Sequence, residues 1–227
     1  MELFIRILLY VVIVAGGYFI GSISNAVIIS NVFFRKDVRH YGSKNAGGSN
    51  AGRVFGKKVG VTVMFLDVFK SIFVYWTITL LFLFTNLGHY IDESATLHFA
   101  MIMTAVGHCY PVYYKFKGGK AVSVVAGFLL ASNWLIAVMG FIFFITMLYV
   151  RKIVSFASIM SAIFLMAVSP LLLIDGFRHF SFYPLANQNL FYFIPTLIGL
   201  CILLILKHRS NIERLQKGTE NKIKWMK

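Results

Sequence analysis

A series of long apolar runs, at 4–30, 59–84, 95–114, 120–132, 133–150, 153–174 and 190–206, limits this chain more than any other feature. A helix crosses about 30 Å of hydrocarbon with roughly 20 mostly apolar residues, and in lipid a backbone satisfies its own polar groups only as helix or closed barrel. Composition points the same way: 59% of the 227 residues are hydrophobic and 13% charged, against roughly 25% charged in soluble domains. A soluble globular fold is excluded, because a sphere of this size cannot hide so much Phe, Leu, Ile and Val from water. The expectation is an all-α integral membrane protein with seven transmembrane helices.

Run 120–132 is short, and it also reads as one end of a single long helix continuing through 133–150. Charge separates the two readings. With seven spans, 19 of the 22 Lys and Arg fall on one side, in loop 31–58, loop 115–120, Arg151 with Lys152, and the tail after Leu206. The opposite side receives Arg6, at the start of the first run, and Arg178, in loop 175–189, and Lys70 lies inside the second span. The cation excess assigns the rich side to the cytoplasm, so the N-terminus is external and the C-terminus cytoplasmic. Merging the two middle runs would send the basic tail outside, which favours a break at Ser132-Asn133. The first run is too long for a signal-peptide core and ends in Gly21-Ser22-Ile23-Ser24-Asn25 without a small-x-small cleavage pattern, so it reads as a retained span. No internal repeat or second domain is visible. Residues 1–227 read as a single membrane domain with a short basic cytoplasmic tail at 207–227. In such a chain the formal charge of +14 speaks to topology, with no nucleic-acid partner expected. Cys109 and Cys201 form no disulfide or metal-binding pattern and read as packing residues.

Polar residues are costly in membrane helices, so their clusters mark the places to look for chemistry. The first is Gly42-Ser43-Lys44-Asn45-Ala46-Gly47-Gly48-Ser49-Asn50-Ala51-Gly52-Arg53. Its glycines let backbone N–H groups approach an anion and its Ser, Asn and Arg side chains complete a phosphate cradle, although a flexible polar loop has the same composition. The second is Gly107-His108, then Pro111 and Phe116-Lys117-Gly118-Gly119-Lys120. A glycine pair between lysines at a helix start offers N–H groups, a positive dipole end and two cations. Read alone it is also an ordinary turn, and a lone His108 is commonly a packing residue.

The third cluster holds Ser155 and Ser158, one turn apart on a shared face behind Arg151-Lys152; serines in such helices often serve helix contacts instead. The fourth is the tail from His208 to Glu220, which also suits anionic lipid headgroups. Under the predicted topology all four lie at the cytoplasmic face, where Arg, Lys, His, Ser, Asn and Gly suit phosphorylated ligands. Asp67 and Lys70, at i and i+3 in the second span, read as a self-neutralising structural pair.

The chain lacks His-Glu-x-x-His, a Cys pair and a Gly-x-Ser-x-Gly elbow, so metalloprotease and lipase chemistry has no support. Thioester-dependent acyltransferases commonly place Asp five residues after a His. Here only Glu213 stands at that distance from His208.

In order and spacing the four clusters resemble the bacterial acyl-phosphate glycerol-3-phosphate acyltransferase (PlsY) family. Its Gly-Ser-x-Asn-x-Gly-x-(Ser/Thr)-Asn-x-x-Arg pattern fits Gly42 to Arg53, and Gly-His-x-x-Pro followed by Phe-Lys-Gly-Gly-Lys fits Gly107 to Lys120. Val-Ser-x-x-Ser fits Val154 to Ser158, and His-Arg-x-Asn-Ile-x-Arg-Leu-x-x-Gly-x-Glu fits His208 to Glu220. Leu66-Asp67-x-x-Lys70 agrees as well. The chain departs from the pattern at Ser24, where Pro is common, at Lys44 and Ala121, where glycines are common, at Ser49 in place of Thr, and at Lys152-Ile153 in place of Tyr.

The resemblance implies a seven-helix enzyme of the bacterial cell membrane, its active site facing the cytoplasm. It moves an acyl chain from acyl phosphate to the sn-1 hydroxyl of glycerol 3-phosphate, giving lysophosphatidic acid and phosphate, the first step of phospholipid synthesis. It implies no cofactor, no metal, and no need for coenzyme A or acyl carrier protein. As catalytic residues it points to Ser43, Asn50, Arg53, Lys120, Ser155, His208 and Asn211. As substrate or phosphate-binding residues it points to Asn45, Ser49, His108, Lys117, Gly118, Gly119 and Glu220, beside Gly42 of the glycine-rich run. Within that reading Arg53 and Lys120 take phosphate charge, Ser43, Asn50 and Ser155 orient phosphates or the developing oxyanion, and His208 with Asn211 meets glycerol 3-phosphate. The alternative is a small anion or lipid transporter, but transporters tend to place polar groups and paired repeats at the midplane.

Overall fold

The computed structural model describes residues 1–174 and 189–223. Among them the chain is helical: α1 (Glu2–Gly21), α2 (Asn25–Phe34), α3 (Gly48–Phe55), α4 (Lys57–Phe84), α5 (Glu93–Cys109), α6 (Val122–Ser132), α7 (Trp134–Arg151), α8 (Val154–Val168), α9 (Leu190–Lys207) and α10 (Arg209–Gln216). Single 3₁₀ turns at Val38–His40, Asn86–His89, Val112–Tyr114 and Ser169–Leu173 join some of them. The expected external loop at 175–189, except Asn189, and the tail end with Lys224 and Lys227 lie outside the described residues.

Five helices among the described residues are long and apolar enough to cross a membrane: α1, α4, α7, the stretch Val154–Leu173 that begins with α8, and α9. Large apolar side chains cover their outward surfaces, Phe65 at 66% exposure and Phe141 at 65% being examples. In water such a surface aggregates; in a bilayer it is the lipid contact.

Several expected boundaries are corrected. The run 4–30 is two helices, because the chain leaves helical geometry at Ser22–Ser24. Lys70 Nζ donates to the Gly21 and Ile23 carbonyls at 3.1 and 2.9 Å there, replacing the N–H donors that a continuing helix would supply. The run 95–114 ends as helix at Cys109, since Pro111 disfavours helical backbone at Tyr110. That leaves α5 with 17 residues, and α6 has 11. The run 153–174 passes from α8 into a 3₁₀ turn at Ser169, where Pro170 removes a helical N–H. The break expected at Ser132-Asn133 is present: Asn133 caps α7 by accepting the Ile136 N–H at 3.0 Å.

The chain divides into two compact units, Met1–Ala131 and Ser132–Lys227. In the first, α1 lies against α5 through small residues. A Cβ at Gly17 would come within 2.6 Å of the Ala100 carbonyl, and one at Gly21 would overlap the Thr104 backbone. Backbones this close gain dispersion contacts that larger side chains would prevent. The short α3 packs on the first turns of α4 at Gly52 and Gly60, and Phe55 stacks on Phe34 of α2 at 4.4 Å. Val38, Ala46, Ala51 and Val63 close a small core beneath the loop between α2 and α3. α6 is tied to α4 by Ser71 Oγ donating to the Val124 carbonyl at 2.9 Å.

In the second unit α8 packs against both α7 and α9. Phe143 stacks on Phe164 at 4.3 Å, and Leu165, Phe193, Leu197, Leu200 and Cys201 are buried.

Candidate functional site

In the first unit the polar loops are built by side chains that bond to backbone. Asn50, at 1% exposure, is the hub of the loop before α3. Its Nδ2 lies 3.0 Å from each of the Val38, Tyr41 and Asn45 carbonyls, and its Oδ1 accepts the Ser43 N–H at 2.8 Å. Gly42 passes beside it at φ +59°, where a Cβ would strike Asn50 Oδ1. Glycine is therefore required at position 42 for both its conformation and its size.

Asp37 and Arg39 form a second clamp. Arg39 donates to both Asp37 oxygens, the shortest contact being 2.6 Å, and through Nη1 to the Tyr114 carbonyl at 2.7 Å. The paired guanidinium holds the Asp37 carboxyl below its usual value despite the opposing effect of burial. Asn45 Nδ2 donates to the Gly118 carbonyl at 3.3 Å. The first and second sequence clusters are thus adjacent, joined at Arg39–Tyr114 and Asn45–Gly118.

The glycine pair differs from expectation. α6 begins at Val122, and the Gly119 N–H is not offered to an anion but donates to the His108 carbonyl at 2.9 Å. A Cβ at Gly118 would overlap that carbonyl and one at Gly119 the His108 ring. The pair is small because it folds against Gly107-His108-x-x-Pro111, which explains why the two halves of the cluster occur together.

Cations stand above this scaffold. Arg53 and Ser49, one turn apart on α3, are exposed, as are Ser43 and Lys117. Among the described residues the Arg53 guanidinium has no partner. Lys120 is half-buried just after the glycine pair. His108 is buried, its Nδ1 3.0 Å from Lys70 Nζ. Lys70 pairs with Asp67 at 3.1 Å, and Asp67 accepts from Asn25 Nδ2 at 2.9 Å.

In the second unit, Glu220 is the hub. It accepts from Ser155 Oγ at 3.1 Å, Asn211 Nδ2 at 2.9 Å and Arg214 Nε at 2.6 Å. Its side chain is 7% exposed. Burial pushes its carboxyl up, but the bonds from Arg214, Asn211 and Ser155 outweigh this and hold it low. Gly218, at φ +68°, turns the chain back after α10, and the Ile223 N–H donates to the Lys152 carbonyl at 2.7 Å. Glu220, expected among the substrate-binding residues, has its carboxylate engaged by the Ser155, Asn211 and Arg214 side chains. Ser155 joins this cluster, whereas Ser158 Oγ donates to the Val154 carbonyl of its own helix at 2.9 Å. His208 is buried with Nδ1 2.8 Å from the Leu204 carbonyl. A carbonyl only accepts, so Nδ1 carries hydrogen.

Reading single residues did not find the Asp37–Arg39 clamp, Asn25 as a partner of Asp67, or the Lys70–His108 contact. The Asp-x-Arg spacing was visible, but a surface loop has many such pairs. No grouping of three His, Cys, Asp or Glu side chains suited to a metal ion occurs among the described residues.

Lipid-facing helices and ordered loops rich in cations, serines and small residues define an integral membrane protein with polar groups suited to phosphorylated molecules. The family model for glycerol-3-phosphate acyltransferase matches residues 11–218, and the chain belongs to that family. It is 34% identical to a glycerol-3-phosphate acyltransferase of Mycoplasmopsis synoviae (strain 53), over 100% of both chains. It is 37% identical to that of Staphylococcus haemolyticus (strain JCSC1435), over 96% of this chain and 100% of the relative. The fold is similar to the crystal structure of PlsY (YgiH), an integral membrane glycerol 3-phosphate acyltransferase. With its glycerol 3-phosphate form the TM-score is 0.76 at 30% identity, covering 94% of this chain and 95% of that one. With the lysophosphatidic acid form it is 0.74 at 29% identity, with the same coverage.

Proposed function

We propose that this chain acylates the sn-1 hydroxyl of glycerol 3-phosphate from an acyl phosphate. The observation that supports this most directly is the exposed, unpartnered Arg53 above a loop whose amides are committed to backbone. Such a loop is pre-organised, and its spare charge awaits a phosphate.

An acyl phosphate is an activated mixed anhydride, so the chemistry demands positioning more than activation. The substrate oxygen attacks the acyl carbon, the new ester C–O bond forms, the C–O bond to phosphate breaks, and the hydroxyl proton passes to a phosphate oxygen. Products are lysophosphatidic acid and inorganic phosphate. Arg53 and Lys120 neutralise phosphate charge, with Lys117 and Ser49 beside them, and Ser43 supplies a hydroxyl to phosphate or the developing oxyanion. Asn50, Asn45, Gly42, Gly118 and Gly119 shape the loops. In the second unit Ser155, His208 and Asn211 meet glycerol 3-phosphate, positioned by Glu220. No acyl carrier protein, coenzyme A or metal enters this scheme.

In the membrane, we place seven spans, with α5 and α6 crossing alongside the five longer ones, the N-terminus outside and the C-terminus in the cytoplasm. The supporting argument is the cation excess of one set of loops. The chain is read as a single domain of the bacterial cell membrane, its active site facing the cytoplasm.

The test is phosphate release by the purified protein given palmitoyl phosphate with and without glycerol 3-phosphate, with lysophosphatidic acid measured alongside. Release that depends on glycerol 3-phosphate and yields lysophosphatidic acid supports the reading. No stimulation by glycerol 3-phosphate in folded protein overturns it, and flux of either substrate across sealed liposomes would point to transport.

A further inference from the structure

Between α5 and the glycine pair the chain makes a turn in which two residues other than glycine take left-handed backbone, Lys115 at φ +56° and Phe116 at φ +57°. A Cβ is disfavoured there, and such a conformation persists only where its surroundings over-determine it. Phe116 is 57% exposed, so its packing contributes little to holding the turn. Within the turn the Tyr114 and Phe116 N–H groups donate to the Pro111 carbonyl at 3.1 and 2.9 Å, and the Lys117 N–H reaches the Tyr114 carbonyl at 3.3 Å. A further bond comes from far away in the chain: Arg39 Nη1 donates to that same Tyr114 carbonyl at 2.7 Å. A charged donor makes the shorter and stronger bond. The guanidinium also lies 5.7 Å from the centre of the Tyr114 ring, within cation–π range.

Arg39 is itself firmly held. Asp37 accepts from its Nε at 3.0 and 3.1 Å, from its Nη2 at 2.6 Å and from its backbone N–H at 2.9 Å. The carboxylate neutralises the guanidinium, so Arg39 is not a spare charge for phosphate as Arg53 is. Val38, between the two, is wholly buried in the small core, and its carbonyl accepts from Asn50. The same Asn50 orders Ser43 and Asn45, and Asn45 Nδ2 reaches the Gly118 carbonyl. The Arg39–Tyr114 and Asn45–Gly118 bonds therefore flank Lys117 in the chain and tie it to the loop that carries Ser43. Lys117 is exposed, and among the described residues its ammonium has no partner.

We propose that Arg39 is a positioning residue: by holding the Tyr114 carbonyl it fixes the left-handed Lys115–Phe116 turn, and so sets where Lys117 stands beside the Ser43 loop to receive a phosphate. Arg39 acts on substrate affinity without touching substrate. Two arginines of neighbouring segments thus have different duties, Arg53 meeting phosphate directly and Arg39 placing another cation. The inference deepens the acyltransferase reading and rests on it for the identity of the phosphorylated substrate.

The experiment combines Arg39→Met, which keeps the stem and removes the fork, with Lys117→Ala and the double variant. Lys117→Ala should raise KM for one or both phosphorylated substrates roughly fivefold with kcat within about twofold of wild type. Arg39→Met should raise the same KM by a similar factor, and the double variant should be no worse than Lys117→Ala alone. Effects that multiply in the double variant, or a fall in kcat at unchanged KM, overturn the proposal, because a merely structural role of Arg39 has no reason to vanish with Lys117. Trypsin gives an arm that needs no substrate. In micelles, cleavage after Lys115 and Lys117 should speed up severalfold in Arg39→Met while cleavage after Lys222 in the tail stays unchanged. Unchanged cleavage at the turn also overturns the proposal. If Arg39→Met proves unfolded, Arg39→Lys, which cannot fork to Asp37 and the Tyr114 carbonyl together, takes its place with the same expectations. If trypsin detects the loosened turn while the unaltered protein forms no lysophosphatidic acid, the acyltransferase reading fails and the positioning of Lys117 by Arg39 stands.

Discussion

Glu220 accepts a hydrogen bond from Ser155 at 3.1 Å, joining residues 65 positions apart in sequence. The same carboxylate takes the Asn211 amide and the Arg214 guanidinium. The tail is thereby a structural part of the second unit, and its order depends on one negative charge.

Removing that charge should disturb all three partners at once. Hydrogen bonds to charged groups contribute about 1.5–3 kcal/mol each, and loss of one in an active arrangement corresponds to roughly 10–100-fold in rate. Glu220→Ala should lower lysophosphatidic acid formation by that range, with Glu220→Gln less affected because it keeps an acceptor. An Ala variant within twofold of wild type would show that the cluster does not position the reacting groups.

The same carboxyl predicts an acid limit. Its folded value lies below the ordinary 4.5, so the stability it contributes is fully present above 4.5 and is lost as the pH falls through the lower folded value. Limited proteolysis between about pH 6 and about pH 3 should expose the tail progressively on the acid side. Glu220→Gln should be cleaved to a similar extent throughout, and an identical acid profile in the variant would contradict the assignment.

Asn50 and Arg53, one turn apart in sequence, should separate stability from turnover. Asn50→Ala strands three carbonyls and the Ser43 N–H and should cost roughly 2–3 kcal/mol, read as a lower Tm in detergent. Arg53→Ala removes an exposed side chain and should leave Tm nearly unchanged while turnover falls on the order of 10²-fold. A large Tm shift in the Arg53 variant would mean that its guanidinium supports the fold.

Lys44 and Ala121 occupy left-handed backbone, at φ +58° and +62°. These are two positions at which the family commonly has glycine, and the conformation supplies the reason, since a Cβ there costs roughly 1–2 kcal/mol. Glycine also loses more entropy on folding. Lys44→Gly and Ala121→Gly should therefore each stabilise by a net of about 0.5 kcal/mol, and Ala121→Val should destabilise. A lower Tm for Ala121→Gly would show that packing of the buried methyl outweighs the backbone strain.

Much of this architecture was legible in the sequence. Apolar length and charge placement announced an all-helical membrane protein, and Ser132-Asn133 was readable as a helix break because merging the runs beside it would send the basic tail to the other side. The spaced motifs around Gly42, His108, Ser155 and His208 marked where polar chemistry gathers. These features are local, set by burial cost, capping and charge within a short window of chain. What the sequence left open was which polar groups are spent on the fold and which remain for a substrate. Asn50 and Arg53 stand three residues apart in one motif, yet one is consumed by four backbone partners and the other has none among the described residues. Nothing in the sequence pairs Glu220 with Ser155, 65 positions away, or adds His108 to the Asp67–Lys70 pair. Hydrogen-bond partners distant in sequence are chosen by packing, and only the tertiary structure decides that choice.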